Sequence, residues 1–416
     1  MEKIASEPSK DALSRSFIIA WIFGCIFYFL QYVIRSSPAV MIPELTVKFG
    51  ISPLGVSAIL GTYYYTYALI SLVAGTAYDR AGAKYPIAVG AGIICLGCLL
   101  FAAPSVVTGN VGRLLQGTGS AFSFTGCVYL ASRGFSSKYL ATAIGLTQCV
   151  GMLGGSAGQF VTGPLIHSGL PVNTFWIFVG SACGIVSVLL FFTTPKEDKS
   201  VAHQQTSTNI LMPYKIVFTN IQSYLSGIIS GLLFAPTTVF AMTWGISFLQ
   251  EDRLLNYQDA VFACAMVPFG WVIGCPLLGW ISDRIGRRKP VLIFGILGMA
   301  LTFSQLVFFQ ELLPVPLTML LFGISSGTAM IPYTIIKEAN PDHVKGSATG
   351  AINFITFGIT SCIGPIFAAF FGKTLSTTTD HLAHFKSAGI FLISVILLAL
   401  VFSFIIKETA KKAIPV

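Results

Sequence analysis

Gly75-Thr76-Ala77-Tyr78-Asp79-Arg80-Ala81-Gly82-Ala83-Lys84 returns, half a chain later, as Gly279-Trp280-Ile281-Ser282-Asp283-Arg284-Ile285-Gly286-Arg287-Arg288-Lys289. Both copies close a long apolar run. Both set Gly, Asp-Arg, Gly and a basic residue at the same offsets. A glycine near the end of a membrane helix lets a neighbouring helix pack close. Asp-Arg then marks where the helix leaves the lipid, and the basic residues hold the turn on the cytoplasmic side. One such stretch is weak evidence. Two in register, on a strongly apolar chain, predict a helical membrane protein built from two similar halves.

Composition agrees. The chain has 416 residues, 54% hydrophobic and 10% charged, where a soluble protein carries roughly 25% charged residues. Apolar runs of about 20 residues recur from end to end. They predict twelve transmembrane helices at roughly 16–43, 53–78, 84–103, 107–132, 139–167, 173–194, 219–249, 258–281, 289–308, 312–337, 344–372 and 385–406. The domains expected are an N-terminal tail (1–15), a six-helix bundle (16–194), a polar linker (195–218), a second bundle (219–406) and a C-terminal tail (407–416). No cleavable signal peptide is expected, because the first apolar run is too long and continues into Arg35-Ser36-Ser37-Pro38.

Lys and Arg set the orientation. With the N-terminus inside, one face collects Lys3, Lys10, Arg15, Arg80, Lys84, Arg133, Lys196, Arg284, Arg287, Arg288, Lys289, Lys407 and others, while the opposite face holds only Lys48, Arg253, Lys373 and Lys386. This asymmetry places both termini in the cytoplasm and requires an even number of spans. The net charge of +9 therefore belongs to loops on one side, not to a basic domain for nucleic acid. The nine cysteines all fall in apolar runs. Cys95-x-x-Cys98 has redox or metal spacing, but it lacks a second Cys or His pair and reads as small apolar filler. No cofactor or metal is expected. Gly154-x-Ser156-x-Gly158 and Gly323-x-Ser325-x-Gly327 match a hydrolase elbow, which needs a strand-to-helix turn. Both lie in membrane helices, so no enzyme is expected.

The repeat extends beyond the loops. Ala143 to Gln148 aligns with Ala348 to Asn353, and Gly163-Pro164 with Gly364-Pro365. Two such halves suit alternating access around a site near the midplane. Arg35 lies well inside the first span, where a charge costs several kcal/mol and must face the bundle interior. Tyr28, Gln31, Tyr32 and Arg35 fall at i, i+3, i+4 and i+7 on one helix face. Three readings of Arg35 stand: an anchor for a ligand anion, a structural arginine satisfied by helix carbonyls or a nearby acid, or one close enough to the outer interface to snorkel. Tyr63 and Tyr67 share a face of the second span, and their flat rings and hydroxyls suit an oriented small ligand. Gln148 and Asn353 are amides at matching positions of the two halves, and each needs a partner from substrate or a facing helix.

The two loops resemble the motif of the major facilitator superfamily between helices 2 and 3 and between helices 8 and 9. The resemblance covers nearly the whole chain and implies a twelve-helix transporter, a monomer, whose partners are the bilayer and a small-molecule substrate. Arg113-x-x-x-Gly117-x-Gly119 resembles that family's second motif, whose arginine is tied to coupling or to the outer transport path. Gln31-Tyr32-Val33-Ile34-Arg35, running into Pro38 and Pro43, resembles the anion:cation symporter branch (sialin-like and hexonate transporters) and the phagosomal transporters of intracellular bacteria. Tyr67 is placed like the span-2 tyrosine of that symporter branch. The branch commonly has acids where this chain has Ile34 and Ser120. Proton symport is thus implied by the resemblance only, beside facilitated transport or coupling through Glu44 or Glu338. Asp79-Arg80 and Asp283-Arg284 would latch the cytoplasmic side. The expected function is import of a small carboxylate-bearing metabolite across the inner membrane. Drug efflux and a non-transporting receptor are the rivals.

Overall fold

The computed structural model describes residues 10–135, 137–196, 212–308, 312–341, 344–375 and 386–409. In lipid every backbone amide must be paired within the chain, so apolar runs become helices. Twelve long helices form among the described residues: α1 (Lys10–Ser36), α2 (Pro53–Ala81), α3 (Lys84–Ala102), α4 (Val106–Gly134), α5 (Ser137–Phe160), α6 (Val172–Thr193), α7 (Ile221–Glu251), α8 (Tyr257–Ile285), α9 (Lys289–Phe308), α10 (Val315–Glu338), α11 (Lys345–Leu375) and α12 (Lys386–Ile405). Ten are apolar and long enough to cross a membrane. The other two, α4 and α5, are as long but interrupted by Gly, Ser, Thr and Gln, and α4 buries Arg113 and Gln116 against its neighbours.

The repeated motif has a local cause. Gly82 ends α2 with φ +68° and Gly286 ends α8 with φ +64°. Only glycine takes that backbone conformation without strain, so both copies carry it two residues after Asp-Arg. Side-chain caps start α2, α7 and α8: Ser52, Asn220 and Asn256 accept from the amides of Gly55, Gln222 and Asp259.

Four breaks depart from the uninterrupted spans expected. The first span ends as an α-helix at Ser36 and continues as a 3-10 turn (Ser37–Val40) and a short helix (Ile42–Phe49), because Pro38 and Pro43 cannot donate to the ladder. The α5 helix stops at Phe160 and restarts at Thr162–His167. A nine-residue π-helix, Pro236–Trp244, interrupts α7, and a 3-10 turn, Gly327–Met330, interrupts α10. The linker also differs from the polar connection expected. Met212–Thr219 is a helix that buries Tyr214 and Val217, while 197–211 lie outside the described residues.

Two seams join the first six helices to the last six. At α5–α8, Ser156 Oγ donates to the Ala265 carbonyl (3.0 Å) and Cys149 Sγ to that of Val272 (3.6 Å). At α2–α11 the backbones nearly touch near the face that carries the chain ends. A Cβ on Gly350 would lie 3.2 Å from the Ser71 carbonyl, and Tyr214 Oη donates to the Leu72 carbonyl (2.7 Å). At the opposite face Tyr257 closes α8 onto the first half. Its Oη donates to the Val40 carbonyl (2.9 Å), and its ring stacks on His167 (5.1 Å).

Candidate functional site

The helical spacing of the first span does what it predicted: Tyr28, Gln31, Tyr32 and Arg35 all point inward and are buried. Arg35 is 2% exposed. Its guanidinium lies over five rings: Phe357 (4.8 Å), Tyr64 (5.0 Å), Tyr32 (5.2 Å), Tyr67 (5.9 Å) and Tyr63 (6.0 Å). Arg35 Nε donates to Tyr64 Oη (3.3 Å). Nη1 and Nη2 have no hydrogen-bond partner among the described residues.

Arg35 forms the inner end of a cavity of about 370 Å³ between α1, α2, α7 and α11, lined also by Ser57, Tyr64, Arg113, Thr238, Trp244 and Ser361. That volume suits a small metabolite. On the other side of the aromatic cage, Tyr28, Tyr32, Tyr67, Gln148, Tyr333, Asn353 and Phe357 surround a central void of about 10 Å³, room for one water molecule. The amides find protein partners there. Tyr28 Oη donates to Gln148 Oε1 (3.2 Å) and Tyr333 Oη to Asn353 Oδ1 (2.6 Å). Gln31 Nε2 donates to Tyr63 Oη, leaving Gln31 Oε1 unpartnered.

Arg113 is held differently. Its Nη1 donates to Gln116 Oε1 (2.7 Å) and the Ile34 carbonyl (3.2 Å), and its Nη2 to the Leu60 carbonyl (3.5 Å). It therefore ties α1, α2 and α4 together beside Arg35, with the Tyr63 ring 5.0 Å from its guanidinium. The π-helix turns Thr238, Thr243 and Trp244 toward the cavity. Pro236 removes one ladder bond there, and the Thr238 and Thr243 hydroxyls bond back to the carbonyls of Phe234 (3.1 Å) and Thr238 (3.0 Å). Trp271 Nε1 donates to Thr237 Oγ1 (3.0 Å), pinning the segment to α8.

The loop residues stand apart from this cavity. Arg80 is exposed, and the Asp79 side chain lies outside what the structure describes. In the second copy Asp283 pairs with Arg288 (2.5 Å), which also holds Glu338 (2.8 Å). Burial lowers the Arg288 affinity for its proton, but the Glu338 and Asp283 carboxylates outweigh it and hold the group above its ordinary value. Arg284 instead lies over the Trp280 ring (5.1 Å). The chain end joins in: Glu408 accepts from the amides of Arg288 and Lys289 (2.8 and 3.0 Å), and Thr409 donates to Glu338 (2.6 Å). Glu44 sits in the first turn of the short helix Ile42–Phe49, with Oε2 unpartnered. Sequence reasoning left out Tyr64, Tyr333 and Phe357. Phe357 had a signal, since it lies one turn beyond Asn353 on the same face.

The family model described as Major Facilitator Superfamily matches residues 24–365 and 269–415. The probable sulfoacetate transporter of Cupriavidus necator is 22% identical over 88% of this chain and 89% of its own length. The glycerol-3-phosphate transporter of Bacillus subtilis is 22% identical over 99% and 97%. Among solved structures, the nucleoside transporter NupG superposes with a TM-score of 0.68 at 16% identity, covering 93% of this chain and 98% of that one. With twelve long helices, two copies of the loop motif and a family match across almost the whole length, the chain belongs to the Major Facilitator Superfamily.

Proposed function

We propose that the chain is a secondary transporter that imports a small organic anion across the inner membrane by alternating access, with both termini in the cytoplasm. One observation carries this: Arg35 is buried with both terminal nitrogens unpartnered, at the end of an open cavity. An uncompensated charge in a low-dielectric interior costs several kcal/mol. Surrounding rings offset about 0.5–2 kcal/mol each. A planar acid group would supply two parallel charge-assisted bonds instead. A carboxylate fits, and sulfonate and phosphate present the same paired oxygens. Sulfoacetate and glycerol 3-phosphate, named for two relatives, are anions of this kind.

In this reading Arg35 anchors the acid group. In this state Ser57, Tyr64, Thr238, Trp244 and Ser361 of the cavity wall meet the rest of the ligand. Tyr28, Gln31, Tyr32, Tyr63, Tyr67, Gln148 and Asn353 form the cage or lie behind it and meet the ligand once the central void opens, and Arg113 fixes the helices that present Arg35. The two six-helix halves, 16–194 and 219–406, rock about the site. Neither cavity has Asp, Glu or His among its described lining residues. This favours facilitated uptake or anion exchange over proton symport.

The test is thermal stability of the purified protein against sulfoacetate, glycerol 3-phosphate, D-glucarate and hydrophobic amines. A ligand at 100 times its Kd stabilises by about 2.7 kcal/mol. At least one anion stabilises the wild type and fails on Arg35→Ala. Stabilisation by amines alone, equal in the two proteins, would make Arg35 structural and favour drug efflux.

A further inference from the structure

Of the five rings around Arg35, four belong to α1 and α2, and only Phe357 comes from the second half of the chain. Phe357 is also the nearest of the five. Its edge-to-face contact with Tyr67 (4.4 Å) and its packing on Phe234 (5.6 Å) close the floor of the cage. The ring lines the central void, whereas Arg35 and Tyr64 line the large cavity. Asn353, Phe357 and Ser361 follow one another at four-residue intervals down one face of α11. That face therefore runs from the central void, through the ring, into the large cavity.

Among the described residues the guanidinium has no acid partner, so π faces are its counter-charge. An oxyanion binds it more strongly than a ring does, and Nη1 and Nη2 are the atoms it would use. We infer that Phe357 is an occupancy gate, a positioning residue that covers Arg35 when the carrier is empty and is displaced by the arriving anion. This rests on the anion-anchor reading above. Displacement breaks the Phe357–Tyr67 contact, which spans α2 and α11 beside the seam at Ser71 and Gly350. Anion arrival at Arg35 is thereby linked to release of that seam. Phe357 competes with the substrate for one cation, so shortening it has opposite effects on binding and on transport.

The experiment compares wild type, Phe357→Ala, Phe357→Tyr and Arg35→Ala. Affinity is measured by titration with sulfoacetate, glycerol 3-phosphate and D-glucarate, and turnover in proteoliposomes with the anion that binds. Phe357→Ala binds about three- to tenfold tighter and turns over at least tenfold more slowly. Phe357→Tyr stays within about twofold of wild type in both. A purely structural role would weaken binding and turnover together and overturn the gate, as would Phe357→Ala behaving like wild type. In both cases Arg35→Ala still loses binding, so the anchor survives. If no anion binds the wild type, or Arg35→Ala binds as well as it does, the anchor fails and the gate with it.

Discussion

Arg35, buried, and Lys48, half-buried, show how differently this fold treats two cations. Arg35 keeps its charge under aromatic faces with two nitrogens free. Lys48 spends its protons on the last turn of α3, donating to the carbonyls of Phe101 (2.8 Å) and Ala102 (3.0 Å). Burial lowers the Lys48 pKa to about 8, against roughly 10.4 in an unfolded chain. The unfolded state therefore binds more protons between those values, and stability rises with pH in that window. Below pH 8 the full cost of charging the half-buried amine is present. The melting temperature of wild type relative to Lys48→Met should rise between pH 8 and 10, as read by a thermal unfolding series. A flat difference would place Lys48 in water. The inward stripe ending at Arg35 was legible because helical spacing puts those side chains on one face. The partners of Gln148 and Asn353 were not legible. Tyr28 lies 120 residues from Gln148, and nothing local signals their meeting.

Helix irregularity marks where α7 meets the cavity. Nine consecutive π-helical residues are unusual, since π turns occur mostly singly and often at functional sites. Pro236 starts the segment, threonine hydroxyls repair its carbonyls, and Trp271 braces it. Widening the helix is what turns Thr238, Thr243 and Trp244 to the same cavity. Replacing Pro236 with Ala restores a donor and favours ordinary α-helical winding. The expected result is a protein at least as stable to heat, with uptake in proteoliposomes reduced tenfold or more. Retained uptake would make the π segment a packing accommodation. The existence of α7 was plain from its apolar run, but its π winding was not. A proline in an apolar helix permits a kink, a 3-10 turn or a π turn, and tertiary packing chooses among them. The loop repeat was legible as a pattern, but the backbone it needs was not: Gly82 and Gly286 both take positive φ, with ψ of −173° and +30°.

Alternating access requires one seam to part while the other end closes, and the α2–α11 seam is the one that is shut near the face carrying the chain ends while its opposite half holds the cavity. The half-chain repeat made the two-fold layout of the chain legible, but no sequence pattern says which face is open at rest, because the same residues must serve both states. Ser71 and Gly350 offer a direct probe. A Cβ on Gly350 would lie 3.2 Å from the Ser71 carbonyl oxygen, so the two helices run close enough there for a cysteine pair to be tested against the 3.5–4.5 Å Cβ separation of a disulfide. Ser71→Cys with Gly350→Cys should therefore cross-link on mild oxidation. The cross-linked carrier should still bind the anion, since Arg35 and its cavity lie on the outer side of the link, and it should lose transport. Reduction should restore uptake, and neither single variant should respond to oxidant, which separates the link from oxidation of the native cysteines. Uptake by the cross-linked protein would mean that α2 and α11 stay together through the cycle. The exit path would then lie along α5, where Ser156 and Cys149 bond to α8 and Gln159 bonds to the Ala241 carbonyl of α7.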